Sequence, residues 1–341
     1  MEMSVSGHTR QLSIGITYNL KRHIKSELPD AEAEYDDLET ILAVKAALEQ
    51  FGSRVELLEA TEELPQNLLK RNVDIVFNIA EGTGGRGREA QVPAILSFYG
   101  IPFTGSDETT LCIALDKALT KRILTSYHIK TPDYTVVRAG SAALSGKLTF
   151  PVIVKPNAEG SSKGISELSF VSDRQELRQI LSKKIDLYRQ DMLVEEYIGG
   201  REFTVGLLGN GKDTRVFPPM EIIYLDTSGP YQIYSFDVKR NYKKFIRYES
   251  PPRISADTRK EIETTARKIY EILECRDFAR IDFRLSNTGQ LYFIEINPLP
   301  GLAPGYSDYP MLAEFNGMDY QTLIKNILGS ALKRYHLNFD L

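Results

Sequence analysis

The 341-residue chain is 42% hydrophobic and 26% charged, an ordinary globular composition with room for two or three domains or one large α/β unit. Its 42 Lys and Arg against 46 Asp and Glu leave a net charge of −4. That balance argues against a generic nucleic-acid or anionic-membrane surface while allowing local basic pockets. The start, MEMSVSGHTRQ, lacks the apolar core of a secretory signal, and no apolar run approaches the ~20 residues that cross a bilayer. Cys112 and Cys275 are far apart and in no metal-ligand spacing. They read as small buried hydrophobes in a reducing, cytoplasmic compartment.

In chain order, LSIGITY (12–18) predicts a strand and YDDLETILAVKAALEQFG (35–52) an amphipathic helix stopped by Gly52. RVELLE (54–59) and VDIVFNIA (73–80) predict two more strands, and AQVPAILSFYG (90–100) a second helix. Such alternation means a parallel sheet with helices packed on it. No GxGxxG follows the first strand, so a dinucleotide-binding domain is not read here. IPFTGSD (101–107) marks a boundary. A helix over 115–129 follows, then strands over 133–138 and 150–156, a Gly/Ser loop, a helix over 173–188 and a strand over 192–198. The remainder is strand-rich, with helices over 255–274 and 320–336, and the chain shows no internal repeat or low-complexity tract. The fold class is mixed α/β (α+β).

Three stretches carry chemistry. In FARIDFRLSNTGQLYFIEINPLPG (278–301), Thr288-Gly289 suits a two-residue hairpin turn. Counting outward pairs Asn287 with Gln290, Asp282 with Glu295 and Arg280 with Asn297. The other face then holds Ile281, Phe283, Leu285, Tyr292, Ile294 and Ile296, which must be core. Opposed carboxylates repel, so either water screens them or a cation sits between them. Two carboxylates and an amide oxygen suit Mg²⁺, which completes its shell with phosphate oxygens, and Arg280 beside them suits the same phosphates. The alternative is a half-exposed hairpin with polar outer residues. In PVIVKPNAEGSSKGI (151–165), Lys155 ends an apolar strand, and a donor-rich loop follows in which Gly160 and Gly164 let backbone N–H groups approach a phosphate. The spacing is not that of a Walker A loop, and a surface loop with a snorkelling Lys is the alternative. In MLVEEYIGGREFTVGLL (192–208), Glu195 and Glu196 end a strand, a Gly-Gly turn follows and Glu202 opens the next. A linker between two lobes with a nearby acid suits a nucleoside; a plain hairpin with solvated acids is the alternative.

Together, IPFTGSDETTLCIALDKALTKRIL, PVIVKPNAEGSSKGIS, LVEEYIGGREFTVGLLG and the acidic hairpin resemble, in order and spacing, the ATP-grasp enzymes, most closely the D-alanine–D-alanine ligase family. The similarity covers roughly residues 73–330. It implies a Rossmann-like parallel-sheet substrate domain (1–108), a central lobe (109–198) and a C-terminal lobe with the metal site (199–341), the two lobes gripping ATP. It further implies that Lys117 and Lys155 contact ATP phosphates and that Glu159, Gly160, Ser161 and Ser162 form the phosphate-covering loop. Glu195, Tyr197 and Ile198 would line the adenine pocket, with Glu202 on the ribose. Lys239 would reach the γ-phosphate from a mobile loop, and Arg280 would stabilise the phosphorylated intermediate. Asp282, Glu295 and Asn297 would hold two Mg²⁺ ions, with Mn²⁺ as a substitute. The family's reaction phosphorylates a carboxylate with ATP and lets an amine displace the phosphate, forming an amide between amino acids. The family is often dimeric.

The chain departs from the family pattern around the amino-acid pockets. Glu81, in NIAEGTGGRGREAQ, stands where the peptidoglycan enzymes usually carry His, which would suit a substrate amine. Lys239-Arg240 replaces Lys-Tyr, so Ser161 loses a partner. PLPGLAPGYSDYP replaces a small Ser-containing loop, bringing Gly301, Tyr306 and Ser307 to the second substrate. Arg86, Arg88 and Arg240 could receive a carboxylate, or the loop arginines and Glu81 could form a surface ion pair. Glu32 and Glu34 lie near the Glu with which the family holds the first ammonium, unless they are a solvated acidic stretch.

Overall fold

The computed structural model describes residues 11–24, 26, 28, 30–138, 148–161, 163–165, 169–226 and 232–339; Ser162 lies outside them. Strand β1 (Ser13–Tyr18) is buried through its middle four residues, as expected of a central strand covered on both faces. It pairs in parallel with β2 (Arg54–Glu59) on one side and β3 (Ile75–Asn78) on the other. Helix α1 (Leu38–Glu49) presents Ile41, Val44 and Leu48 to one face of this sheet. The C-terminal helix, α11 (Tyr320–Arg334), adds Ile324, Ile327 and Leu328 to the same core. Helices α2 (Leu64–Lys70) and α3 (Gln91–Phe98) close the other face with Leu64, Leu68, Val92 and Leu96.

The helix expected over 115–129 is α5 (Lys117–Ser126), and a further helix not expected from the sequence, α4 (Glu108–Leu115), precedes it. Asp116 separates them in an extended conformation, and its carboxylate caps α5 by accepting the N–H of Leu119 at 2.9 Å. Cys112, on α4, is exposed rather than buried, whereas Cys275 is buried as expected.

The second sheet has the order β4-β7-β5-β6, built from β4 (Tyr134–Val137), β5 (Val152–Pro156), β6 (Phe170–Val171) and β7 (Met192–Glu196), all antiparallel. Helix α6 (Arg174–Tyr188) backs it through Leu177 and Leu181. Residues 197–199 then lead into the third sheet, as the reading of a linker between lobes requires.

The third sheet comprises β8 (Gly200–Leu208), β9 (Arg215–Val216), β10 (Met220–Tyr224), β11 (Ile246–Glu249), β12 (Phe278–Ser286) and β13 (Leu291–Asn297). Its order is β11-β10-β8-β12-β13, with β9 on β8, and it too is antiparallel. Short helices α7 (Phe236–Arg240) and α8 (Tyr242–Phe245) precede β11. Helix α9 (Ala256–Ile272) buries Ile262, Ala266 and Ile269 against Phe203, Val205, Ile281 and Phe283, and α10 (Asp308–Phe315) follows the hairpin.

The β12–β13 hairpin pairs Asp282 with Glu295 and Arg280 with Asn297, as counted, but by a different route. The turn holds three residues, since Ser286 donates its N–H to the Gln290 carbonyl at 2.9 Å and Gly289 adopts φ +80°. A left-handed Gly after a tight turn is the usual three-residue hairpin solution. That shifts the register by one, so Phe283 faces Phe293 and Leu285 faces Leu291. A bulge beyond Phe283 inserts Ile294 and restores the count at Glu295. The core face of β13 is consequently Leu291, Phe293 and Ile296, while Tyr292 and Ile294 are only partly buried, contrary to straight alternation.

Candidate active site

Between the second and third sheets lies a narrow cleft of about 70 Å³ whose walls include Lys155, Glu195, Ile198, Glu202, Ile294 and Arg284. Lys155, penultimate in β5 and only 3% exposed, holds its ammonium 2.5 Å from Glu195 in the cleft wall. Lys121, fully buried on α5, lies 3.1 Å from the other Glu195 oxygen and donates to the Ile294 carbonyl at 3.1 Å. Burial alone would push the Glu195 carboxyl up, but the two ammoniums outweigh it and hold it at about 2. Burial pushes Lys121 down to about 8 against the pull of Glu195. Glu195 is thus the counter-ion that fixes two lysines, one of them in the cleft wall.

Glu202 accepts the Tyr224 hydroxyl at 2.9 Å and Arg284 at 3.1 Å. Ile198 is buried in the wall. The Tyr197 hydroxyl donates to the Gln232 carbonyl at 3.1 Å, and the Arg284 guanidinium stacks 4.9 Å from the Tyr197 ring centre.

At the end of the cleft, Asp282 and Glu295 share one face of the hairpin. Burial and the Glu295 charge push Asp282 above its ordinary value, although Arg280 pulls the other way. Glu295, with 25% of its side chain exposed, is also pushed up by desolvation, yet Lys117, Lys155 and Arg280 hold it below the usual carboxylate range; Lys117 lies 3.7 Å from it. Arg280 binds Asp282 with two hydrogen bonds of 3.1 and 3.0 Å and lies 3.4 Å from Asp308. Opposed half-buried carboxylates with an amide two residues on form a hard-oxygen donor set suited to a divalent ion.

A second, wider cavity of about 690 Å³ opens beyond this point. Arg280 and Lys239 line both spaces, so a group held in one meets a group held in the other at these two cations. Lys239 is on α7, and burial lowers its ammonium, with Arg280 adding to the effect and Asp308 opposing it. Asn297, Ser161, Gly301, Tyr306 and Ser307 border the wide cavity, as do Glu34, Glu81 and Arg240. Gly301 leaves room for the loop to fold back, since a Cβ there would sit 2.9 Å from the Ser307 hydroxyl.

The glycine loop is clamped from the first sheet's side. Glu34 accepts the Gly160 N–H at 2.5 Å and two bonds from Arg88. Glu159 is bound by Arg88, Lys163 and Gln190 at 3.0, 3.0 and 2.7 Å, and Lys117 donates to its carbonyl. Arg88 is therefore a buried tie between Glu34 and Glu159, not a surface partner of Glu81. Arg86 is exposed and pairs with Asp116 at 3.2 Å. Glu32 accepts the backbone N–H groups of Arg22 and Ile24 at 2.8 and 3.1 Å.

Several residues at the site escape a reading of the sequence alone. Lys121 sits one helical turn after Lys117, a spacing that puts both on one face, but its partner Glu195 is 74 positions away. Asp308 accepts the hydroxyls of Tyr234 and Tyr248, each at 2.9 Å, and so joins the loop before α7 to Arg280. Asp36 borders the wide cavity just before α1, where burial drives its carboxyl up to about 7 despite Lys21.

Comparison with known proteins bears on this arrangement. The family described as D-ala D-ala ligase C-terminus matches residues 124–329. The D-alanine–D-alanine ligase of Aquifex aeolicus is 35% identical over 294 residues, covering 85% of this chain and 94% of that one. Uncharacterized protein y4sG of Sinorhizobium fredii is 34% identical over 309 residues, covering 87% and 88%. Among solved structures, a D-alanine–D-alanine ligase from Bacillus anthracis complexed with ATP superposes with a TM-score of 0.74 at 22% identity, covering 95% of this chain and 99% of that one. At that identity the last comparison speaks to the fold.

Proposed function

Since the chain belongs to the D-alanine–D-alanine ligase family of ATP-grasp enzymes, we propose that it is an ATP-dependent ligase joining the carboxylate of one amino acid to the amine of another. The observation that carries the reading is the pair of cations, Arg280 and Lys239, set in the wall common to a narrow cleft and a wide cavity beside the opposed acids Asp282 and Glu295. We assign the nucleotide to the cleft, which at about 70 Å³ has to widen to take it, and the amino acids to the cavity. The segments 1–108, 109–198 and 199–341, each holding one of the three sheets, serve as substrate domain, central lobe and metal-bearing lobe. ATP use places the reaction in the cytoplasm.

In this reading a substrate carboxylate oxygen attacks the terminal phosphorus of ATP, ADP departs, and an acyl phosphate remains. The ammonium of the second substrate gives up one proton; the resulting amine attacks the carbonyl carbon and expels phosphate, which takes up the second proton as the amide forms. Asp282, Glu295 and Asn297 would hold Mg²⁺, which neutralises the triphosphate and polarises its terminal group when bound. Lys155 meets the phosphates, kept charged and in place by Glu195. Arg280, braced by Asp282 and Asp308, and Lys239 face the charge that develops at the junction, and a preorganised cation in a water-poor site stabilises it strongly. Ile198, Ile153 and Ile165 offer the base an apolar slot.

Incubation with ATP, Mg²⁺ and D-alanine or other amino acids tests the proposal. Phosphate release that needs both the metal and an amino acid supports it. Nucleotide binding without turnover on any amino acid would replace it with a non-catalytic nucleotide-binding role.

A further inference from the structure

Resting on that ligase reading, we infer that the amino-acid cavity is built for a substrate carrying a second cationic group, a diamino acid or a similar amine, rather than for two neutral side chains. Besides Arg280 and Lys239, the cavity wall holds the acids Asp30, Glu34, Asp36, Asp37 and Glu81. Most are answered from within the chain. Asp37 pairs with Lys21 at 3.0 Å and with His23 at 3.6 Å, and Glu34 pairs with Arg88.

Asp36 and Glu81 are not answered: among the described residues neither side chain has an ion pair or a hydrogen bond. Carboxylate oxygens of Glu34, Glu81 and Glu89 lie within 4.8 Å of one another. Glu89 is only 6% exposed and has no side-chain partner among the described residues, so Arg88, helped by the pull of Lys117 on Glu89, stands against three acids. An independent observation points the same way. Asp30 is 5% exposed, and although its Oδ2 accepts Gly164 and Tyr188 at 2.7 and 3.0 Å, its Oδ1 is buried with no hydrogen-bond partner.

Glu89 is buried, whereas Asp36 and Glu81 are half-buried in the cavity wall; carboxylates without partners in such places are costly unless a proton or a ligand supplies the charge. The α-ammonium of one substrate answers one of them; Asp36 and Glu81 together call for a second positive centre. At about 690 Å³ the cavity is of ordinary ligand-site size, with room for a longer side chain than a methyl group.

Initial rates of ADP formation with alanine, serine and leucine against 2,3-diaminopropionate, ornithine and lysine, in both configurations, test this for the wild type, Glu81→Gln and Glu81→Asp. The expected result is a preference of at least about 10-fold in kcat/KM for the diamino acids, falling by about 10- to 100-fold in Glu81→Gln, as for loss of a charged hydrogen bond, and retained in Glu81→Asp. Equal or better turnover of neutral amino acids, or an unchanged ratio in Glu81→Gln, overturns the inference and leaves the ligase standing. Turnover of none would sink the ligase reading instead. Calorimetric titration with lysine then still decides the cation site: binding that Glu81→Gln abolishes supports it, and no binding refutes it.

Discussion

Asp282 and Glu195 look alike in composition and differ in what surrounds them. Asp282 faces another acid, so its charge is held by Arg280 on one side and, in the proposed metal site, is open to a cation on the other. Asp282→Asn should leave the circular dichroism and thermal midpoint near those of the wild type while lowering ATP turnover by about 10²–10³-fold. Glu195 is closed between Lys121 and Lys155. Glu195→Gln strands two buried ammoniums and should cost about 3–5 kcal/mol of unfolding free energy in urea titrations. The pH dependence has a definite sign. The folded carboxyl is held at about 2 against an ordinary 4.5, so its contribution is intact above about pH 4.5 and is lost as the pH falls toward 2. The stability gap between wild type and Glu195→Gln should narrow across that interval, and a gap that stays constant would contradict the assignment.

The β12–β13 hairpin is the element on which the acids depend. Its three-residue turn requires Gly289 at φ +80°, with no atom near where a Cβ would stand. Gly289→Ala should therefore cost about 1–2 kcal/mol of stability through backbone strain alone and leave kcat unchanged, read by urea denaturation and ADP formation. The opposition of Asp282 and Glu295 came out as counted because the three-residue turn and the bulge at Ile294 each shift the register by one and cancel. The burial of Leu291 and Phe293 in place of Tyr292 and Ile294 was not legible, because a bulge carries no signature when every candidate for the extra position is apolar. Helix α4 poses the converse difficulty. The start of α5 was read, but ETTLCIAL before it was not read as a helix, although Asp107 caps it by accepting the Thr110 N–H at 3.0 Å. The parallel sheet of the first hundred residues was plain from strand–helix alternation, since that order leaves few other ways to bury the strands. Contacts between segments distant in the chain, such as Lys121 with Glu195 or Arg88 with both Glu34 and Glu159, are set by how the sheets meet and leave no local trace.

Across the whole molecule, the cleft and the cavity communicate through Arg280, and Asp308 ties that arginine to Tyr234 and Tyr248. A nucleotide held by two sheets can thereby meet a substrate held against the third. Asp308→Asn weakens one of the two acidic braces on Arg280, and kcat should fall about 10-fold with the Kd for ATP within about two-fold, a split that equilibrium nucleotide titration and steady-state rates resolve. The most direct measurement of the central claim follows one oxygen atom. An amino-acid substrate with an ¹⁸O-labelled carboxylate, turned over with ATP and Mg²⁺, should transfer one labelled oxygen to the released phosphate for each amide formed, as acyl phosphate chemistry demands. Phosphate released without label, its new oxygen drawn from water, would mean that the cleft hydrolyses ATP without activating a carboxylate.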